Sequence, residues 1–154
     1  MSKLNNTLDS IAKPFIGIAP WLLRLALGIS FILHGLQKFP LPPEGMVRWF
    51  ESLGIIWPEL ITSLVALGEV FAGLAILVGG LLGNRGHLVT RIGGGAVVVI
   101  MIGAIYLAHS QWFTDFFTLF EEGGKTRPGY KHFVYSEQMY LLILGTYFAI
   151  KGNK

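Results

Sequence analysis

A small set of polar side chains interrupts otherwise apolar runs, and their types are those that move protons or hold a polar ligand. Arg24, His34, Gln37 and Lys38 fall in the run from Trp21 to Phe39. Glu69 lies in the middle of a second run, His109 closes a third, and Glu137 opens a fourth. At roughly 100° per residue, Arg24, Gly28, Phe31, His34, Gly35 and Lys38 share about 120° of one helix face, opposite Leu, Ile and Ala. A charge in hydrocarbon costs several kcal/mol unless paired or hydrated, so this stripe is expected to turn toward other helices.

Glu69 shares its face with Thr62, Ala66, Gly73 and Gly80, a small-residue surface suited to close helix packing. An acid there must be protonated, paired or hydrated. Lys38 and His34 match it best in depth, so Glu69, His34 and Lys38 are expected to form one hydrogen-bonded cluster with His109 or Glu137 at its rim. Side chains of these types can donate to a polar ligand or carry protons. His34, Lys38 and His109 could donate, while Glu69 and Glu137 could relay protons. Arg24 and Gln37 read as structural or secondary polar groups. Plainer roles compete: Arg24 and Lys38 can snorkel to the headgroups, Glu137 can complement a helix dipole, and His109 can be interfacial.

The elements that must position these groups follow from composition. The chain has 154 residues, 53% hydrophobic and 14% charged, with a mean hydropathy of +0.59. A soluble domain usually carries about a quarter charged residues, so this reads as an integral membrane protein. It has no cysteine, which removes disulfides, thiol redox chemistry, iron–sulfur ligation and thiolate nucleophiles. The net charge of +3 is spread among loops without a basic tract, which argues against a nucleic-acid partner. No metal-ligand pattern, phosphate loop or dinucleotide fingerprint is present, and Gly93 to Gly95 lacks the strand and spacing of the last. His34 and His109 could in principle ligate a haem between helices, though two histidines at similar depth are a weak signal for one.

Four apolar runs, about 19–39, 59–82, 91–109 and 133–150, predict an all-α, up-down bundle of four transmembrane helices in a single domain over 1–154. Between the first two lie Pro40, Pro42, Pro43 and an interfacial segment, Val47 to Ile56, with Trp49 and Trp57 nearby. Gly83-Asn84-Arg85-Gly86 is a tight polar turn, and a long loop from Ser110 to His132 carries Trp112, Phe113, Phe116, Phe117 and Phe120. Residues 1–20 lack a small-residue cleavage site and read as a retained, partly amphipathic lead-in. Lys3, Lys13, Arg85, Arg91, Lys151 and Lys154 stand on one side of the bundle against Lys38, Arg48, Lys125, Arg127 and Lys131 on the other, six against five; with the even span number and the short basic turn, this favours both termini in the cytoplasm.

Arg24-x-x-x-Gly28, Phe31-x-x-His34-Gly35-x-x-Lys38 and Glu69-x-x-x-Gly73-x-x-x-Leu77, with His109 and Tyr135-Ser136-Glu137 later, resemble the DoxX family of small four-helix membrane proteins. The resemblance implies a multi-pass protein of the prokaryotic cytoplasmic (inner) membrane. It also implies kinship with the DoxD-type subunit of thiosulfate:quinone oxidoreductase and with membrane partners of redox enzymes in oxidative-stress complexes. The segment from Gln111 to His132 is longer than the family's usual loop. The leading expectation is an integral membrane subunit of a redox system that binds a quinone in the outer half of the bundle. The alternative is a non-catalytic anchor or assembly partner for an oxidoreductase, and the third is a proton-coupled carrier of a small solute. The partners expected are the lipid bilayer and a redox enzyme or a second copy of the chain.

Overall fold

A computed structural model describes residues 2–122 and 125–154 of the chain. Eight α-helices are present among these residues: α1 (Ser2–Ala12), α2 (Ala19–Leu36), α3 (Glu44–Ser52), α4 (Pro58–Leu81), α5 (His87–Ala108), α6 (Gln111–Thr114), α7 (Tyr130–Val134) and α8 (Glu137–Lys151). Strands β1 (Leu119–Glu122) and β2 (Lys125–Pro128) pair antiparallel between α6 and α7. The main body is thus all-α, and the hairpin is a local departure within the stretch expected to be loop.

Helix ends fall where local chemistry puts them. α2 stops at Leu36, short of Phe39, because Pro40, Pro42 and Pro43 follow and offer no N–H to continue a helical ladder. Pro58 stands in the first turn of α4, where a missing N–H is harmless. α5 starts at His87, a turn earlier than Arg91, directly after a 3-10 turn over Gly83–Gly86. The fourth run does not form one helix from Phe133. Ser136 is extended, and its Oγ accepts a hydrogen bond from Met139 N at 3.1 Å, so α8 begins afresh at Glu137.

α2 packs along α4, α4 along α5 and α5 along α8, with a slighter contact closing α8 back on α2. Leu27, Phe31, Ala72, Ile76, Val97, Met101, Leu141 and Phe148 form the buried core. Between α2 and α4 the backbones nearly touch: a Cβ on Gly73 would lie 2.5 Å from the Gly28 carbonyl oxygen. Any larger residue there would force the helices apart. Outside this core, leucines, isoleucines and phenylalanines of α2, α4 and α5 stand exposed around the bundle. Three helical segments, 19–36, 58–81 and 83–108, are long and apolar enough to cross a membrane. With this lipid-facing belt, the chain is a multi-pass membrane protein.

Candidate functional site

The stripe on α2 ends in Lys38, just past the helix terminus, and Lys38 turns inward. Its Nζ donates to Glu69 Oε2 at 2.5 Å and to the backbone oxygen of His34 at 3.0 Å. The pair is well shielded, with the lysine side chain 22% and the glutamate 6% exposed. Close to it, His34 Nε2 lies 3.1 Å from Glu137 Oε1, and Ser30 Oγ donates to the same oxygen at 3.4 Å. This second pair is open, at 40% and 59% exposure, and it bridges the loosely packed seam between α2 and α8.

Both pairs border one cavity of about 370 Å³. His34, Lys38, Glu69 and Glu137, with the amide of Gln138, supply its polar wall. The rest is mainly apolar, with Val65 from α4, Ile100 and Ala104 from α5, Leu141 from α8, and Met46, Trp49 and Phe50 from α3. A shallower depression of about 570 Å³ at Glu51, Trp57, Pro58, Glu59 and Leu60 is larger. It presents two acids without a cation, so the more enclosed cavity with four convergent ionisable groups is the stronger candidate.

The α3 wall is what the sequence reading missed. Val47 and Phe50 are buried where α3 rests on α4, which fixes Met46 and Trp49 beside the cavity. The i, i+3 spacing of Val47 and Phe50 was the available signal, although it names no target for that face. His109 does not line the cavity. It stacks flat on Trp112, with ring centroids 3.9 Å apart and planes 8° apart, because α5 ends at Ala108 and the chain turns into α6. Gln37 is exposed at the end of α2, outside the cavity wall.

Arg24 occupies a separate cluster near the start of α2. It does not snorkel: it is buried, and its guanidinium lies 4.7 Å over the Phe148 ring. Nη1 donates to Ile76 O at 2.9 Å and Thr90 Oγ1 at 3.2 Å, while Nη2 donates to Gly152 O at 3.2 Å and Asn153 Oδ1 at 2.6 Å. Asn153 completes the knot. Its Oδ1 accepts from Thr90 Oγ1 at 2.6 Å, its Nδ2 donates to Gly79 O and Gly83 O, and its backbone N donates to His87 Nδ1. Among the described residues no carboxylate pairs with Arg24. Neutral oxygens take the place of a counter-ion, since Ile76 O, Gly152 O and Asn153 Oδ1 all accept from it. Gly152 makes this possible at φ +62°, and a Cβ there would run into the His87 ring. Nothing in the local sequence around Asn153 announced this role.

The chain is similar to a Bacillus subtilis (strain 168) protein named "Putative oxidoreductase CatD", at 35% identity over 57% of this chain and 58% of that protein. It is also similar to an uncharacterized membrane protein of Mycobacterium tuberculosis, at 31% identity over 55% of this chain and 47% of that one. The chain therefore spans about half the length of the curated relatives it matches. No solved structure matches it. The DoxX family profile matches residues 19–110, which hold Arg24, the Lys38–Glu69 pair, His34 and His109. By that match over more than half its length, the chain belongs to the DoxX family of membrane proteins.

Proposed function

We propose that the chain is an integral membrane subunit of a redox system, and that its cavity takes a flat, lipid-soluble ligand of the quinone class. The observation that carries this reading is the Lys38–Glu69 ion pair set into the wall of an otherwise mostly apolar cavity. Pockets for small ligands combine apolar walls with a few convergent polar groups, in volumes of about 300–1,000 Å³. Lys38 and His34 can donate to ligand oxygens. Glu137 and His34, at the exposed seam, can pass protons inward toward Lys38 and Glu69. Reducing a quinone to a quinol takes two electrons and two protons. The electrons would come from a partner oxidoreductase, a link that the printed name of the Bacillus subtilis relative also suggests.

This reading includes α8 as a fourth span, both termini in the cytoplasm and the prokaryotic cytoplasmic membrane as the location. At about 1.5 Å per residue, α8 reaches roughly 22 Å, less than the ~30 Å hydrocarbon core, and α7 with the Ser136 cap would complete the crossing. Titration of the purified protein with a short-chain quinone should quench the fluorescence of Trp49. Lys38→Met should weaken that binding about tenfold or more, the scale of a lost charge-assisted hydrogen bond. Absence of quinone from the lipid extract, together with no saturable quenching, would eliminate the reading.

A second reading, a non-catalytic anchor for an oxidoreductase, is favoured by a different observation. Between α5 and α8, Trp112, Phe113, Phe116, Tyr130 and Phe133 pack on one another, and Phe117 stands almost fully exposed. That aromatic surface would dock the soluble enzyme. Deleting 111–128 should then abolish co-purification of an oxidoreductase while leaving quinone quenching of Trp49 intact; retained co-purification would reject it.

A further inference from the structure

The cavity and the Arg24 cluster leave α1 unused. Its sequence places Leu4, Leu8 and Ile11 within about 60° of arc at roughly 100° per residue. Asn6, Asp9 and Ser10 fill the opposite side, with Asn5, Thr7 and Ala12 on the borders. The aliphatic stripe is uncovered: Leu4, Leu8 and Ile11 are 65%, 54% and 61% exposed. Among the described residues, no element beyond the adjoining 3-10 turn, Lys13–Phe15, packs extensively on this helix. Phe15, Ile16 and Ile18 carry the exposed apolar surface onward to Leu22 and Leu25 of α2. Exposed apolar residues thus follow one another along the chain from the α1 stripe to the belt that faces lipid. Pro14, Gly17 and Pro20 lie in or beside the connection, so the helical ladder is interrupted between α1 and α2 and the two can differ in direction.

We propose that α1 lies in the plane of the membrane, with the Leu4–Leu8–Ile11 stripe sunk into the leaflet from which α2 enters. Interfacial helices of this type bury their apolar face about 5–10 Å into the boundary between headgroups and acyl chains. The charge around α1 fits that surface. Lys3 and Lys13 flank it, and Arg85, Arg91, Lys151 and Lys154 stand exposed at the same end of the bundle, with Asp9 the acid on α1 itself. The occupant of the stripe is lipid, and the basic residues meet anionic headgroups at its edge.

The absence of native cysteine makes the test clean. Leu8→Cys and Ile11→Cys, with Asn6→Cys and Ser10→Cys as the polar-face pair, would each carry one nitroxide in the full chain. The protein would be reconstituted in vesicles of phosphatidylcholine and phosphatidylglycerol at 3:1. Collisions with oxygen, which partitions into lipid, are compared with collisions with a water-soluble nickel chelate. The expected result is loss of nickel accessibility with high oxygen accessibility at positions 8 and 11, and the reverse at 6 and 10. Equal nickel accessibility at all four positions would overturn the proposal, because the helix would then stand in water. Exclusion of both agents at 8 and 11 would overturn it as well, since protein would be covering the stripe.

Discussion

Arg24 on α2 and Lys38 just past its end stand on one stripe, about 20 Å apart at roughly 1.5 Å per residue, yet the structure treats them in opposite ways. Around Arg24 everything is closed: four hydrogen bonds and an aromatic ring surround the guanidinium, with the C-termini of α4 and α8 beside it. Around Lys38 the packing opens into a cavity, the cation has an acid for a partner, and a second pair reaches the surface. A guanidinium has five N–H donors; the four on the Nη atoms of Arg24 are engaged, and Nε sits in the tight junction with α4, where a Cβ on Gly80 would lie 3.0 Å from it. An ammonium has three donors, two of which Lys38 has engaged, and Lys38 borders a cavity with room for an acceptor. One end of the bundle is built for cohesion, and the other sets a cation beside empty space.

The strongest way to break this contrast is at the closed end. Arg24→Ala strips the donor from three carbonyl-type acceptors and from Thr90, and should lower unfolding stability by about 3 kcal/mol or more. Thermal unfolding in mild detergent measures it. A loss no larger than that of an exposed residue would mean that the knot is not structural. Asn153→Ala, which removes the same junction from the other side, should weaken stability by a smaller margin and leave quinone quenching unchanged.

At the open end, Glu69→Ala leaves Lys38 without its acid and should lower stability by about 2 kcal/mol, reduced from the fully buried case because Lys38 keeps some contact with water. Glu69→Leu combined with Lys38→Met should restore most of that stability in the same melt, because both charges are gone. The double variant should nevertheless fail to bind quinone. Recovery of both properties would show that the pair is packing rather than site.

His34→Ala should change stability by less than about 1 kcal/mol, since the His34–Glu137 pair is exposed. If His34 both donates to a ligand oxygen and passes protons, quinone-linked turnover should fall further than quinone affinity does, a split that kinetic assay of the reconstituted complex would read. The smallest effect is expected from His109→Phe. The ring can still stack on Trp112 and does not border the cavity, so neither quinone quenching nor melting should move measurably.

The apolar runs and the α2 stripe were legible from sequence because they depend on properties a helix has by itself: its length against a bilayer and its 3.6-residue period. The match of Lys38 with Glu69 was legible for the same reason, since two helices crossing one membrane share a depth scale. The partner of Arg24 was not. Asn153 lies 129 positions away, beyond the last turn of α8, and only the packing of α4, α5 and α8 brings it to the guanidinium. The cavity's α3 wall and the turn that carries His109 onto Trp112 likewise follow from how elements meet. The beginning of α8 was set by one local hydrogen bond at Ser136, which interrupts a run whose hydropathy alone reads as continuous. The sequence by itself determined which residues avoid lipid, because that preference belongs to each side chain. The tertiary structure decided which of them close on one another and which face a space, because that depends on neighbours far apart in the chain.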